Sequence, residues 1–162
     1  MSIEIKGLHH NAYRCRDSEE TRAFYEDFLE LPLAASLVIT ESKTGRATRA
    51  LHTFYELGDG SYLAFFEVPD MPFEFVEQHD YDLHIALEVE RGHMTRMLEK
   101  GKSSGMETRG VSDHDFIQSI YFRDPNGYVI ELTTRQPRHE AYMAKARTEA
   151  HDILAAWRAE NA

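Results

Sequence analysis

The spacing of apolar residues along the chain changes several times, and each change marks an element. Gly7–Cys15 reads as a strand, and Asp17 or Ser18 then offers a helix N-cap ahead of Phe24, Phe28 and Leu31, whose spacing lays them on one helical face. Pro32 ends that helix, because proline has no N–H to continue the ladder. Leu33–Thr40 and Ala47–Leu57 are strand-like runs separated by Glu41–Arg46, where Lys43-Thr44-Gly45 suits a turn. Gly58-Asp59-Gly60 makes the next tight turn, into Ser61–Val68. The first half therefore reads β-α-β-β-β.

A proline-bearing, acidic connector over Pro69–Asp82 breaks the pattern, and the same order then returns. Leu83–Val89 opens as a strand and Arg91–Lys102 reads as a helix carrying Met94, Met97 and Leu98. Strands follow near Met106–Val111, Phe116–Phe122 and Tyr128–Thr133, with Asp124-Pro125-Asn126-Gly127 as a turn. Weak self-similarity supports a duplication: His10-Asn11-Ala12 returns as His84-Ile85-Ala86, and the Tyr55…Gly60 hairpin echoes Tyr121…Gly127. From Pro137 the chain is helix-like, with Tyr142, Ala146, Ala150, Ile153 and Trp157 on one stripe that should dock on the body of the domain or on a partner subunit. The expected division is a body over residues 1–136, with modules near 5–70 and 80–134, and a helical extension over 137–162.

Composition narrows the class of partner. An apolar fraction of 42%, with nine Phe and eight Tyr in 162 residues, is enough to form a buried core. A net charge of -10 without a Lys/Arg run disfavours nucleic acid and anionic membranes, both of which need clustered positive charge, and leaves a small molecule as the expected partner. Met1–Lys6 has no apolar leader-like region and no apolar run approaches membrane-spanning length, so the cytoplasm is the expected location. Cys15 is the single cysteine, which rules out an internal disulfide and a multi-thiolate zinc site. Any metal must be held by nitrogen and oxygen.

Strand alternation puts His10 on a face with Ala12 and Arg14, and His84 on a face with Ala86. Glu131 stands between the apolar Ile130 and Leu132, which point the other way, so its carboxylate should face an enclosed space and want a cation. Two imidazoles and a carboxylate with coordination positions left open form the facial arrangement of non-haem Fe(II) oxygenases. His9, His52, His79, His93, His139 and His151 start as ordinary structural or surface histidines.

The stretch Gly7–Leu33, with Leu8-His9-His10-Asn11-Ala12, Asp17 and Phe24-Tyr25, resembles the first module of the vicinal oxygen chelate superfamily, the glyoxalase, bleomycin-resistance and extradiol-dioxygenase group. Leu83-His84-Ile85-Ala86 resembles the opening of its second module, and residues 119–132, from Ser119 through Asp124-Pro125-Asn126-Gly127 to Glu131-Leu132, resemble the closing hairpin that ends in a ligand glutamate. The resemblance implies an α+β fold of two βαβββ modules in a cupped, eight-stranded mixed sheet, with a divalent metal at His10, His84 and Glu131. Aligning Gly60 with Gly127 puts Ala64 where Glu131 sits, so the first module offers no fourth side-chain ligand there.

Three protein ligands leave room for a bidentate substrate and dioxygen together, which favours the extradiol branch: Fe(II), or else Mn(II) or Zn(II), acting with dioxygen on a catechol-type substrate. Tyr121 stands at the active-site tyrosine position of that pattern, and Ser112-Asp113-His114 resembles its Asp-His element, which gives His114 an acid-base role. The acid-base histidine expected near the end of the first module is replaced by Ser61-Tyr62, with His52 as a substitute. Phe54, Tyr55, Phe65, Phe66 and Phe116 are candidate aromatic walls, and Arg46 and Arg49 candidate partners for a substrate carboxylate. A homodimer is the expected assembly, with module pairing within or between chains left open. The alternatives are a redox-neutral metal-dependent lyase, isomerase or transferase, a non-catalytic binding protein of the bleomycin-resistance type, and an interaction module with incidental histidines.

Overall fold

The computed structural model describes residues 3–41 and 44–161. The element order is β1 (Tyr13–Arg14), α1 (Ser18–Arg22), β2 (Leu33–Glu41), β3 (Ala47–Glu56), β4 (Tyr62–Glu67), β5 (His84–Glu88), α2 (Arg91–Ser103), β6 (Thr108–Asp113), β7 (Ile117–Arg123), β8 (Val129–Arg135) and α3 (His139–Glu160). The eight expected strands fall into two four-stranded sheets of matching order, β1-β4-β3-β2 and β5-β8-β7-β6. Met1–His84 with Arg123–Val129 form one compact unit, and Ile85–Phe122 with Ile130–Ala162 form another. Both sheets are mixed in the way two βαβββ repeats require, with β1 parallel to β4 and the hairpins β2-β3, β3-β4 and β6-β7 antiparallel.

The expected strand over Gly7–Cys15 is shorter than its pattern suggests. His10 makes a single parallel bridge to Tyr62, and regular pairing resumes at Tyr13 and Arg14. Between them the Asn11 side chain accepts the Ala64 amide at 2.9 Å, so a side-chain oxygen takes a hydrogen bond that a backbone carbonyl would otherwise accept. Asp17 is the helix cap, its carboxylate accepting the Glu19 and Glu20 amides. The helix then widens into a π-helical turn over Ala23–Phe28, closed by the Leu29 amide on the Phe24 carbonyl, and Phe24, Tyr25 and Phe28 are all buried.

The first unit's core forms on one face of its sheet. Tyr25 is fully buried with its ring 4.6 Å from Phe65 and 5.4 Å from Tyr55. Fully burying a side chain of this size contributes about 1.5–3 kcal/mol. Tyr55 and Phe65, two of the candidate substrate walls, are thus core residues. The alternate face of β3 and β4 carries His52, Phe54 and Phe66, whose rings meet one another.

The turn after β7 is built on Asp124, which accepts the Asn126 and Tyr128 amides, the Asn126 side-chain amide and the Tyr25 hydroxyl. Gly127 has φ +95°, and a Cβ there would strike the Val76 backbone, so glycine is required on both counts. In the second unit, Gly101 lets α2 lie close over Thr108 and Phe122. The Gly45 turn after β2 has the positive φ that suits glycine, and Lys43 of the same expected turn lies outside the described residues.

The α3 helix carries no buried residue, and Ile153, Leu154 and Trp157 are exposed. Its contact in the second unit is at the N-terminal end, where Tyr142 stacks on Phe116 with ring centroids 4.2 Å apart. Phe116, a candidate substrate wall, is engaged in that pairing. No helix among the described residues is long and apolar enough to cross a membrane.

Candidate functional site

In the first sheet, His10 is exposed, and its ring lies 5.4 Å from Phe54 and 6.1 Å from His52. Its Nδ1 shares a 2.8 Å hydrogen bond with Nδ1 of His9. His52 is buried, stacked on Phe66 at 3.6 Å, and its Nδ1 donates to the Phe65 carbonyl at 3.0 Å. Burial pushes the His52 imidazole below its ordinary pKa of 6.5; the Phe65 carbonyl opposes that shift and nearby His10 adds to it. His52 is therefore neutral at neutral pH.

In the second sheet, Glu131 on β8 is 6% exposed, and Ser119 Oγ of β7 donates to its Oε1 at 2.5 Å. His84 opens β5, the strand next to β8, and is exposed. Its Nδ1 donates to the Asp80 carbonyl at 2.7 Å, which fixes the tautomer with the lone pair on Nε2, the form a metal ligand requires.

His114 lies in the turn between β6 and β7, and its Nε2 shares a 3.0 Å hydrogen bond with Tyr121 OH. That turn is fastened by Asp113, which accepts the Asp115 amide and the side-chain amides of Gln118 and Gln136. The same donors, the Asp115 amide first, hold the Asp113 carboxyl below its ordinary value. The Arg109 guanidinium lies over the Tyr121 ring, 5.2 Å from its centroid.

Two pairs of expected site residues are thus neighbours: His10 with His52, and His114 with Tyr121. Ser119 and Arg109, which the sequence did not single out, contact Glu131 and Tyr121. Arg46 and Arg49 are exposed. Ala64 is fully buried, with its amide bonded to Asn11. Among the described residues, no three His, Cys, Asp or Glu side chains form a group able to hold a metal ion. His10, His84 and Glu131 stay the three candidate ligands.

The donor chemistry of those three nonetheless suits a divalent ion. The His84 Nδ1–H bond to the Asp80 carbonyl leaves Nε2 to accept, and a hydroxyl holds the Glu131 carboxylate in place. Two nitrogens and a carboxylate suit Mn(II), Fe(II) or Zn(II).

Comparison with known proteins agrees with this architecture. Residues 7–132 match the family described as the Glyoxalase/Bleomycin resistance protein/Dioxygenase superfamily. A curated relative, metallothiol transferase FosB of Shouchella clausii (strain KSM-K16), is 28% identical over 141 residues, covering 80% of this chain and 81% of its own. The crystal structure of the fosfomycin resistance protein FosX from Listeria monocytogenes, complexed with Mn(II) and sulfate, superposes with a TM-score of 0.61 at 21% identity, covering 85% of this chain and 98% of that one. A glyoxalase/bleomycin resistance protein/dioxygenase domain from Frankia sp. EAN1pec gives a TM-score of 0.64 at 16% identity, covering 82% and 100%. The two sheets of matching order and a family match over most of the chain lead to one conclusion: this protein belongs to the glyoxalase/bleomycin resistance protein/dioxygenase superfamily.

Proposed function

We propose that this protein is a redox-neutral, metal-dependent enzyme of the transferase or lyase type, acting on a small substrate that meets the ion through neighbouring oxygens. The observation that carries the reading is its likeness to a metallothiol transferase across 80% of the chain, joined to a buried carboxylate held by Ser119. The FosX structure holds Mn(II), so Mn(II) is the first ion to test, with Zn(II) and Fe(II) beside it.

Glu131 and the Nε2 atoms of His84 and His10 are the proposed ligands. When bound, the ion supplies Lewis acidity that polarises the substrate oxygens. The proposed assembly is a homodimer in which His10 of one copy meets His84 and Glu131 of the other. The hydrogen-bonded pair His114 and Tyr121 supplies the acid and base: the imidazole takes the proton of an incoming thiol or water, and the phenol holds the imidazole in place. Phe54 and Phe66 provide the aromatic wall beside His10 and His52.

The extradiol reading, with Fe(II), dioxygen and a catechol, draws on the same His114–Tyr121 pair and on the non-ligating Ala64. One experiment separates the two. Metal-reconstituted full-length protein is given fosfomycin with a low-molecular-weight thiol or with water under Mn(II), and in parallel a catechol panel under Fe(II) in an oxygen electrode. Adduct or diol formation without oxygen uptake is the expected result. Oxygen uptake with a catechol, and no addition product, would replace this reading by the extradiol one.

A further inference from the structure

A second site lies in the first unit, independent of the functional reading above. The connector after β4 folds back over the end of β1 and encloses a cavity of about 270 Å³ lined by Arg14, Arg16, Glu67, Met71, Phe73 and Phe75, among others. Both guanidinium groups lie over rings of the connector. Arg14 Cζ lies 5.2 Å from the Phe73 ring centroid, and Arg16 Cζ lies 5.1 Å from that of Phe75.

A ring over the flat face of a guanidinium leaves its N–H edge to find acceptors. Arg14 satisfies one edge by donating from Nη2 to the Val68 carbonyl at 3.0 Å and the Met71 carbonyl at 2.8 Å. Its Nε is buried with no hydrogen-bond partner. Arg16 makes no ion pair with any acidic side chain among the described residues. The one acidic side chain in the lining, Glu67, already accepts the Ser18 amide with Oε2.

Two arginines with unspent donors are unusual in a chain of net charge -10, where carboxylate partners abound. Apolar side chains form part of the wall, and Phe73 and Met71 are 47% and 45% exposed. We propose that this cavity binds a small carboxylate with an apolar, preferably aromatic, body. The carboxylate lies between Arg16 and the Nε edge of Arg14, and the body packs against Phe73, Phe75 and Met71. Charge-assisted bonds to two guanidinium groups supply the anchor, and the rings set the preference for an aromatic acid.

The test uses the full-length chain, titrated with benzoate, acetate and inorganic phosphate at constant ionic strength, and followed by calorimetry and by the ¹⁵N-coupled Nε–H signals of Arg14 and Arg16. Benzoate should saturate and move both signals, and acetate should bind about tenfold more weakly because it cannot use the rings. Arg16→Gln, which touches none of the hydrogen bonds that fasten the connector, should weaken benzoate by about tenfold or more, and Glu67→Gln should tighten it by removing an opposing charge. Arg14→Lys keeps the charge and loses the fork, so it should also weaken binding. Metal content should be unchanged in Arg16→Gln, which keeps this result separate from any result on the proposed metal site. Unmoved arginine signals at saturating benzoate, or equal binding by Arg16→Gln, would overturn the site. Phosphate binding as tight as benzoate, and indifferent to Phe73→Ala, would overturn the assignment to aromatic carboxylates.

Discussion

Ser119 on β7 reaches across to β8 and donates its hydroxyl proton to Glu131 Oε1, so the buried carboxylate has its orientation set by a neighbour on the adjacent strand. If Glu131 is a metal ligand, that hydroxyl is part of the ligand's support. Ser119→Ala should then lower metal affinity about 10–100-fold while the fold persists, because losing an outer-shell partner costs of that order. Competition against a chelator measures it, with circular dichroism as the fold control. Unchanged affinity would mean that Glu131 is not a ligand.

His114 and Tyr121 stand 3.0 Å apart in the second unit, in a turn fixed by Asp113. A proton-transfer role separates from metal binding. His114→Ala should reduce turnover by about a hundredfold to ten-thousandfold with full metal content, which is the range for loss of a general acid or base. Tyr121→Phe should lower turnover with full metal content, since it removes the hydroxyl that holds the imidazole in place. Metal loss in His114→Ala would instead make His114 a ligand, and one of the proposed three would have to be withdrawn.

Asp124 tests the turn that closes the second hairpin. It is 3% exposed and accepts four hydrogen bonds, among them that of the buried Tyr25 hydroxyl. Asp124→Asn replaces one acceptor oxygen with an NH2 donor that faces other donors and should cost about 1–3 kcal/mol, read as a lower urea midpoint. Burial is the main cause that raises the Asp124 carboxyl above its ordinary 3.8, and the hydrogen bonds oppose it. The folded state therefore holds this proton more tightly than the unfolded chain. Asp124's contribution is fully present below pH 3.8 and is lost as pH rises from there through its folded pKa. The difference in midpoint between wild type and Asp124→Asn should shrink across that interval. A difference that grows with pH would show that its hydrogen bonds outweigh burial.

The alternation of β2, β3 and β4 and the Gly60 and Gly127 turns were legible because period and punctuation are local properties. The first strand was overestimated, since nothing in Gly7–Cys15 reveals that Asn11 spends its side chain on the Ala64 amide. The π-helical turn over Ala23–Phe28 escaped for a similar reason, as apolar spacing does not report whether a carbonyl is met four or five residues on. Ser119 was readable as a face-mate of Tyr121 by period two, but its meeting with Glu131 depends on how β7 and β8 are registered. Arg14 and Arg16 meet Phe73 and Phe75 through a fold-back of the connector, and no periodicity encodes that contact.

The last prediction concerns how the proposed ligand set is completed. In the proposed homodimer, a site made of His10, His84 and Glu131 needs a second copy. Each single variant, His10→Ala or Glu131→Ala, should then bind metal poorly alone, because two remaining ligands cannot hold an ion firmly against water. If each site takes His10 from one copy and His84 with Glu131 from the other, a heterodimer of the two variants contains one site lacking both residues and one site that is intact. Unfolding and refolding an equimolar mixture, with differently tagged chains to isolate the heterodimer, should therefore recover about one ion per heterodimer, where each parental homodimer holds almost none. Metal analysis and the mass of the assembly check it together. If the heterodimer remains metal-free while wild type under the same treatment reloads, pairing across chains is wrong. If wild type is a metal-loaded monomer at every concentration, the ligands must converge within one chain.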